Sequence, residues 1–409
     1  MSGTFSILRD RQYSKYALAA ILTTVGGAMH FIAMSWFLFK LTGTASSIGW
    51  ILIISALPGL LFSPWIGVLV DRWNNKHICV AADLLRGACV LGVAVAMLFD
   101  VATVPLVYAV TFIIAICDNF FQPAVAALVR NTVDKERLLA ANVMSSTSMQ
   151  IGGLAGAGLG GLLVASIGTA PVVLANAVSF FVSAALTQWI VTRAIPKAEQ
   201  PVRAKRLMAE FRSVVPYMAE HRYILQLALL QLFVFLTLSV CNTLLPAFIV
   251  KVLHSDAAAF GLIDSAWGAG ALIGAQALAY LVRKVSRQQF GVAALFLLAA
   301  AGLVFATALT VLQGMIGYFF LGFLTCAIRI NTDTILVSEV GPEYFGKVKA
   351  TIAMFISFIS IAVYGCVGYL GDVVNLRYLF AMLSCLTLAA SLGALWFSRP
   401  GVAAALRKS

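Results

Sequence analysis

The chain reads as a succession of long apolar runs separated by short polar segments. Each run is long enough for a helix to cross the hydrocarbon core of a bilayer, which takes about 20 residues. Within the runs apolar residues follow one another continuously, whereas a membrane β-strand alternates apolar and polar positions. The pattern therefore predicts twelve membrane-spanning helices, near residues 16–39, 46–70, 77–99, 104–129, 139–166, 170–192, 223–248, 258–282, 288–310, 313–337, 349–371 and 376–397.

The composition agrees with this prediction. Of the 409 residues, 61% are apolar and 11% are charged, and the mean hydropathy is +0.97, whereas soluble domains are about 45–50% apolar and about 25% charged. These values exclude a soluble globular protein and a disordered chain. The seven cysteines form no CxxC spacing and lie in or near apolar runs, so we expect no metal site, no disulfide framework and no cofactor.

One polar stretch, between the sixth and seventh runs, is much longer than the others. We interpret residues 1–192 as an N-terminal six-helix bundle, 193–222 as a cytoplasmic linker and 223–409 as a C-terminal six-helix bundle. In the linker, apolar residues recur at helical spacing, which predicts an amphipathic helix on the membrane surface. These residues are Leu207, Phe211, Val214, Val215 and Met218.

The two predicted bundles show weak internal similarity. Ser47-Ile48-Gly49 enters the second run as Ala259-Phe260-Gly261 enters the eighth, 212 residues later. Related halves are typical of secondary transporters in which the substrate binds between two bundles. The predicted fold class is an all-α membrane protein with two pseudo-symmetric bundles of six helices.

The formal net charge of +12 is distributed unevenly. With the amino terminus inside, the cytoplasmic segments hold 23 of the 28 Lys and Arg residues, while the outer loops hold Lys40, Lys251 and Arg377. Because Lys and Arg accumulate in cytoplasmic loops, both termini are predicted to be cytoplasmic. This orientation explains the basic character without a nucleic-acid partner. The polar first fifteen residues show no cleavable signal, and we expect a multi-pass protein of a bacterial inner membrane.

The loop after the second run reads Gly67-Val68-Leu69-Val70-Asp71-Arg72-Trp73-Asn74-Asn75-Lys76. It resembles the signature of the major facilitator superfamily, although Asn74 and Asn75 replace the usual Gly and Arg. The resemblance implies a cytoplasmic gate in which Asp71 caps a helix and pairs with an Arg. The residues assigned to this gate are Gly67, Asp71, Arg72, Lys76, Asp83, Arg86, Arg130 and Asp333. Asp83 and Arg86 share one helix face and either extend the gate or form a purely structural ion pair.

The fifth run carries stripes of small residues that allow close helix packing. Gly152, Gly156 and Gly160 form one stripe, and Gly161 belongs to the next. The segment 156–161 resembles the antiporter signature of the same superfamily, except that Ala157 replaces its proline. The resemblance implies export, and the alternative is helix packing without directional meaning.

Further segments resemble the drug and siderophore exporter branch, the group that contains enterobactin and macrolide exporters. They are Thr42-Gly43, Phe121-Gln122-Pro123-Ala124, Ala141-Asn142, Asn176-Ala177 and Gly346-Lys347-Val348, and the resemblance extends from about Tyr16 to Phe397. It implies a twelve-helix carrier driven by protons, with a small-molecule substrate.

Ionisable residues inside the runs are candidate functional groups, because charge is costly in hydrocarbon. Asp118 lies in Cys117-Asp118-Asn119-Phe120-Phe121-Gln122, where polar anchors stand beside apolar walls. Burial favours its protonated form, so we predict Asp118 as the proton-coupling group, with Asp264 second. The predicted substrate-binding residues are His30, Asn119, Phe121, Gln122, Trp267 and Arg329. As alternatives, His30 is a packing residue, Trp267 an interface anchor, and Arg329 a partner of Asp333.

The sequence therefore predicts a monomeric, proton-coupled exporter of an amphipathic organic molecule, working by alternating access in the lipid bilayer. An importer or a lysolipid flippase of the same fold is the alternative. A membrane-embedded enzyme is more distant, because the four histidines are scattered and no convergent nucleophile or metal cluster is evident.

Overall fold

The computed structural model describes residue 7 and residues 10–191, 217–218, 221–282 and 286–397. In this part of the chain the regular structure is helical, which confirms the all-α prediction. The helices are α1 Arg11–Thr42, α2 Ser46–Arg72, α3 Asn75–Leu98, α4 Val104–Thr132, α5 Leu138–Ile167, α6 Thr169–Gln188, α7 Arg222–Lys251, α8 Ala257–Leu281, α9 Arg287–Ala306, α10 Val311–Glu339, α11 Pro342–Val373 and α12 Leu376–Phe397.

Eleven of these helices are long and apolar enough to cross a membrane, judged on the described residues alone. The exception is α2, in which the corresponding apolar stretch is the shorter segment Ser46–Phe62. A spanning helix satisfies its backbone hydrogen bonds internally, which is what a chain needs where water is absent. The protein is therefore a multi-pass membrane protein.

Local sequence sets several helix ends. The Asp10 side chain accepts hydrogen bonds from the backbone N–H groups of Gln12 and Tyr13 and so caps α1. Gly43 ends α1 at a φ of 69°, a left-handed conformation that favours glycine. Ser286 and Gln289 form a capping box at the start of α9.

Predicted and observed ends differ most at α11. The helix begins at Pro342 rather than near 349, because proline is favoured in the first helical turn and its missing N–H costs nothing there. The first two turns of α11 contain polar residues, so a search for apolar runs does not detect them. The prediction also extended α6 and α9 about four residues too far, since they end at Gln188 and Ala306.

The first compact unit comprises Met1–Gly43, Ser47–Ala204 and Asp256–Ser265, and so includes the first turns of α8. Within it, α1 packs against α5 and α6, and α3 packs against α4 and α6. Helix α6 thus has α1 and α3 as neighbours, which places residues of four helices around one interior space.

The second compact unit comprises Thr44–Ser46, Lys205–Ser255 and Ala266–Ser409. Here α9 packs against α10 and α12, and α7 packs against α10 and α11. Its core contains a cluster of aromatic rings in which Phe305 contacts Phe248, Tyr318 and Phe380, with ring centroids 4.8–5.2 Å apart.

The predicted linker 193–222 lies almost entirely outside the described residues, and with it the predicted amphipathic helix, of which only Met218 is described. The division into bundles 1–192 and 223–409 stays a prediction.

Candidate functional site

Glycines of α5 allow the backbone of α1 to approach closely. A Cβ added at Gly156 would collide with the backbone oxygen of Val25, and one at Gly160 would lie 2.9 Å from the Cα of Met29. One at Gly152 would lie 3.1 Å from the Thr24 side chain. The contact holds α1 so that its polar positions line a space inside the first unit.

Gly161, on the neighbouring stripe, packs against α8. A Cβ added there would lie 2.5 Å from the Cα of Gly261. All four glycines assigned to helix packing therefore lie at helix crossings within the first unit.

The space is a cavity of about 300 Å³ between α1, α3, α4 and α6, which we term the first-unit cavity. Its lining combines aromatic, hydroxyl, amide and charged side chains. Its lining includes His30, Arg86, Asp118, Phe121, Gln122 and Phe180.

Arg86 joins two carboxylates at the wall of this cavity. Its guanidinium donates one hydrogen bond to Asp83, three residues earlier on α3, and another to Asp118 on α4. The second oxygen of Asp83 accepts a hydrogen bond of 2.7 Å from the Ser183 hydroxyl on α6. The Asp83 side chain is 0% exposed, whereas that of Asp118 is 46% exposed. Asp83 is thus a buried counter-ion, and Asp118 is open to the cavity.

Two aromatic rings flank the guanidinium of Arg86. Its central carbon lies 4.1 Å from the ring centroid of Phe121 and 4.8 Å from that of Phe180, within cation–π range. The Nε atom of Arg86 and the Nδ1 atom of His30 are buried and have no hydrogen-bond partner within the described structure. The cavity wall therefore combines apolar rings with the Arg86 guanidinium, and two buried polar atoms behind it lack a partner among the described residues.

The structure brings some predicted site residues together and separates others. His30, Asp118, Phe121 and Gln122 all line the first-unit cavity. The Asn119 amide instead donates to the carbonyl of Ala115 at 2.7 Å and does not line the cavity. Within the first unit, Asp264 is partly buried on α8.

Two predicted substrate-binding residues lie in the second unit. The Trp267 ring packs against Tyr318 with centroids 5.1 Å apart. Arg329 is exposed on α10, and Asp333 pairs with Lys349 at 3.5 Å instead of with Arg329.

The predicted cytoplasmic gate is only partly visible. The surroundings of Gly67 and of the Asp71 side chain lie outside the described part of the structure. Arg72 and Arg130 are exposed. The backbone N–H of Lys76 donates to the Asn74 side chain, which caps α3. Arg86, assigned to the gate, lies instead beside Asp118 in the first-unit cavity.

Sequence reasoning missed Phe180 and Ser183, and it missed the pairing of Arg86 with Asp118. The positions of Arg86 and Asp118 along their helices could have indicated this pairing. Arg86 lies twelve residues from the end of α3 and Asp118 fourteen residues from the start of α4, so the two helices place them about 18 and 21 Å from their shared loop. Charges at similar depths on consecutive antiparallel helices are candidates for pairing.

A family model described as transmembrane secretion effector matches residues 2–335. Macrolide efflux protein A of Streptococcus pyogenes is 25% identical over 332 residues, which cover 78% of this chain and 78% of that protein. The uncharacterized MFS-type transporter YkuC of Bacillus subtilis is 25% identical over 257 residues, 60% of this chain, and the match spans only 58% of that protein's length.

Solved structures share the fold. A point mutant of the nucleoside transporter NupG superimposes with a TM-score of 0.77 at 11% identity, covering 95% of this chain and 100% of that chain. A bacterial homologue of the iron transporter ferroportin gives a TM-score of 0.72 at 17% identity, covering 95% and 99%. Such low identities support the fold and not a substrate. With the family match over most of its length, the chain belongs to the transmembrane secretion effector family of the major facilitator superfamily and is a membrane transporter.

Proposed function

We propose that this transporter is a proton-coupled exporter of an amphipathic organic molecule, and that Asp118 binds and releases the coupled proton. The observation that carries the proposal is the Arg86 bridge between Asp83 and Asp118 at the wall of the first-unit cavity.

The charges of this cluster do not balance. Two carboxylates face one guanidinium, which leaves one negative charge inside a membrane protein, where an unpaired charge is costly. Uptake of one proton removes that charge. Asp83 has no exposed side-chain surface and is held by both Arg86 and Ser183. These two donors stabilise the Asp83 anion, whereas Asp118 is the partly exposed carboxylate that a proton from the cavity can reach, so we assign the proton to Asp118.

Protonation of Asp118 changes what Arg86 contacts. A neutral carboxyl group holds a guanidinium less strongly than a carboxylate does, so Arg86 then has Asp83 as its ionic partner. The cavity side of the guanidinium, between Phe121 and Phe180, becomes available to another ligand. Proton binding and cargo binding are thereby linked through one side chain, which is the requirement for coupled transport.

The lining of the cavity supports an amphipathic cargo. Phe121 and Phe180 provide apolar surface, while the Gln122 amide provides hydrogen-bonding groups. Pockets for organic molecules combine apolar walls with a few polar anchors in this way.

The relatives support export as the direction. Besides macrolide efflux protein A, the multidrug efflux pump Tap of Mycolicibacterium fortuitum is 28% identical over 158 residues, 37% of this chain and 38% of that protein. The distribution of Lys and Arg supports cytoplasmic termini in an inner membrane, and a reporter enzyme fused to either end would test that orientation. We keep the proposed inner gate at Gly67, Asp71, Arg72 and Lys76.

The test uses inside-out membrane vesicles energised by a pH gradient, with a macrolide and a panel of dyes as candidate cargoes. We expect gradient-dependent accumulation by the wild-type protein. Asp118→Asn should abolish gradient-driven accumulation but keep exchange of preloaded cargo, because exchange needs no net proton transfer. Asp100→Asn is the matched control, since Asp100 is an exposed loop carboxylate with a φ of 56°, which asparagine tolerates.

Two results would contradict the proposal. Wild-type, gradient-dependent accumulation by Asp118→Asn would remove Asp118 from coupling. Uptake only in right-side-out vesicles would oppose export and favour an importer.

A further inference from the structure

The second unit carries a charged side chain for which the proposed function has no role so far. Arg329 lies ten residues before the end of α10, about 15 Å along the helix axis. Its side chain is exposed. A guanidinium at that depth is costly unless it faces water, a partner or a ligand.

The geometry of α10 shows that Arg329 does not project with the exposed apolar side of the helix. Phe320, which is 49% exposed, precedes it by nine residues, about two and a half helical turns, and so lies on the opposite side. Thr325 and Leu336 share the side of Arg329 and are 4% and 1% exposed. The Arg329 side chain is therefore exposed on a side of α10 where the residues one turn before it and two turns after it are buried.

The neighbours of Arg329 leave positive charge in excess. Asp333, one turn later, accepts a hydrogen bond of 3.2 Å from Gln231 on α7 and pairs with Lys349 on α11 at 3.5 Å. No carboxylate in the described part of the chain forms an ion pair with Arg329. Arg329, Asp333, Lys349 and Gln231, termed the Arg329 patch, therefore hold two cations and one anion.

We propose that the Arg329 patch binds an anionic group of the cargo, such as a carboxylate, sulfonate or phosphate. This inference rests on the proposed function and deepens it. Arg329 supplies a planar donor fork suited to such groups. The side chains of Lys349 and Asp333 are 52% and 37% exposed, and half-exposed ion pairs are weak. An incoming anion therefore replaces Asp333 as the partner of Lys349 at little cost.

Accumulation of positive residues at the cytoplasmic side explains Lys349, which begins the third turn of α11. It does not explain Arg329, which lies deeper along its helix, on the side that carries the buried Thr325 and Leu336. The anion site accounts for both cations together.

The test measures charge selectivity at the patch without transport. In a chain whose seven cysteines are replaced by alanine or serine, Gln231→Cys provides a thiol beside Asp333. Its reaction rates with the anionic sulfonatoethyl and the cationic trimethylammonioethyl methanethiosulfonates are compared, each divided by the rate of free thiol. We expect the anionic reagent to react faster, and Arg329→Gln to lower the anion-to-cation ratio roughly tenfold, the scale of one removed charge at close range.

Two further variants act as controls for charge and for folding. Arg329→Lys keeps the charge and should keep the preference. Lys347→Gln removes an equal charge two residues from Lys349, from a side chain that lies over the ring of Tyr344, and should leave the ratio unchanged. Each variant must elute as a single species on size exclusion before labelling.

A second measurement asks for ligand selectivity. Dansylglycine should slow labelling of the thiol at position 231, and its uncharged methyl ester should not. Four results would overturn the anion site. In the labelling experiment these are an anion-to-cation ratio unchanged by Arg329→Gln, a preference for the cationic reagent, or an unreactive thiol. In the protection experiment it is equal or absent protection by the acid and the ester. Failure here leaves the Asp118 test standing, and loss of proton coupling leaves this labelling result standing, so the two proposals fail separately.

Discussion

Replacement of Arg86 by glutamine is the most direct perturbation of the first-unit cluster. Arg86 is 5% exposed and Asp83 is 0% exposed. Arg86→Gln therefore leaves a fully buried carboxylate, and among the described residues the Ser183 hydroxyl is then its remaining hydrogen-bond donor. Removal of one partner of a buried ion pair costs about 3–5 kcal/mol. Because Asp118 is partly exposed and recovers solvation, we expect a loss near the lower limit, about 3 kcal/mol.

Two companion variants separate charge from geometry. Arg86→Lys keeps the charge but cannot reach both carboxylates with a planar fork, so its loss should be intermediate. The double variant Arg86→Gln with Asp83→Asn removes the unpaired charge, and it should recover about 0.5–3 kcal/mol relative to Arg86→Gln alone, the range measured for directly interacting pairs.

The assay is the free energy of unfolding of purified protein, from titration of mixed micelles with a denaturing detergent and detection by circular dichroism. Arg130→Gln is the control, because Arg130 is an exposed arginine in the last turn of α4, and exposed substitutions usually change stability by less than about 0.5 kcal/mol. If Arg86→Gln were as stable as Arg130→Gln, or if the double variant were no more stable than Arg86→Gln, the cluster would not be a buried charge network.

Two further substitutions test local packing and capping. Gly156→Val should lower the free energy of unfolding by about 1–3 kcal/mol, because its new carbons meet the backbone of Val25. Gly153→Val should be tolerated, since a Cβ there meets nothing within 4 Å. Equal thermal stability of the two variants would contradict the proposed helix crossing. Asp10→Ala removes the carboxylate that accepts two backbone N–H groups at the start of α1, and the same unfolding titration should show a loss of about 0.5–2 kcal/mol, with Asp10→Asn close to the wild type.

The helices were largely predictable because each one depends on local information. An apolar run of sufficient length must form a helix in hydrocarbon, since no other single segment satisfies its own backbone groups there. The prediction for the last helix, 376–397, agrees with the observed α12, Leu376–Phe397. The largest difference, at Pro342, arose where a helix starts in polar sequence and apolar content carries no signal.

The candidate site was predictable only as a set of residues. Asp118, Phe121 and Gln122 lie close together in the sequence, and their position in an apolar run identified them as functional candidates. Phe180 and Ser183 carried no such signal, because a phenylalanine and a serine are ordinary residues of a membrane helix. Their contacts with Arg86 and Asp83 make them part of the cluster.

The sequence by itself determined that this is a membrane protein, that its described part contains twelve long helices, and how far along its helix each buried charge lies. Only the tertiary structure decided which charges share a cavity. Arg86 and Asp118 are 32 residues apart, and Ser183 and Asp83 are 100 residues apart, so their contacts depend on α3 packing against both α4 and α6. The physical reason is that lipid solvates every apolar helix face alike, so hydrophobicity alone does not select neighbours, and close packing and polar contacts do.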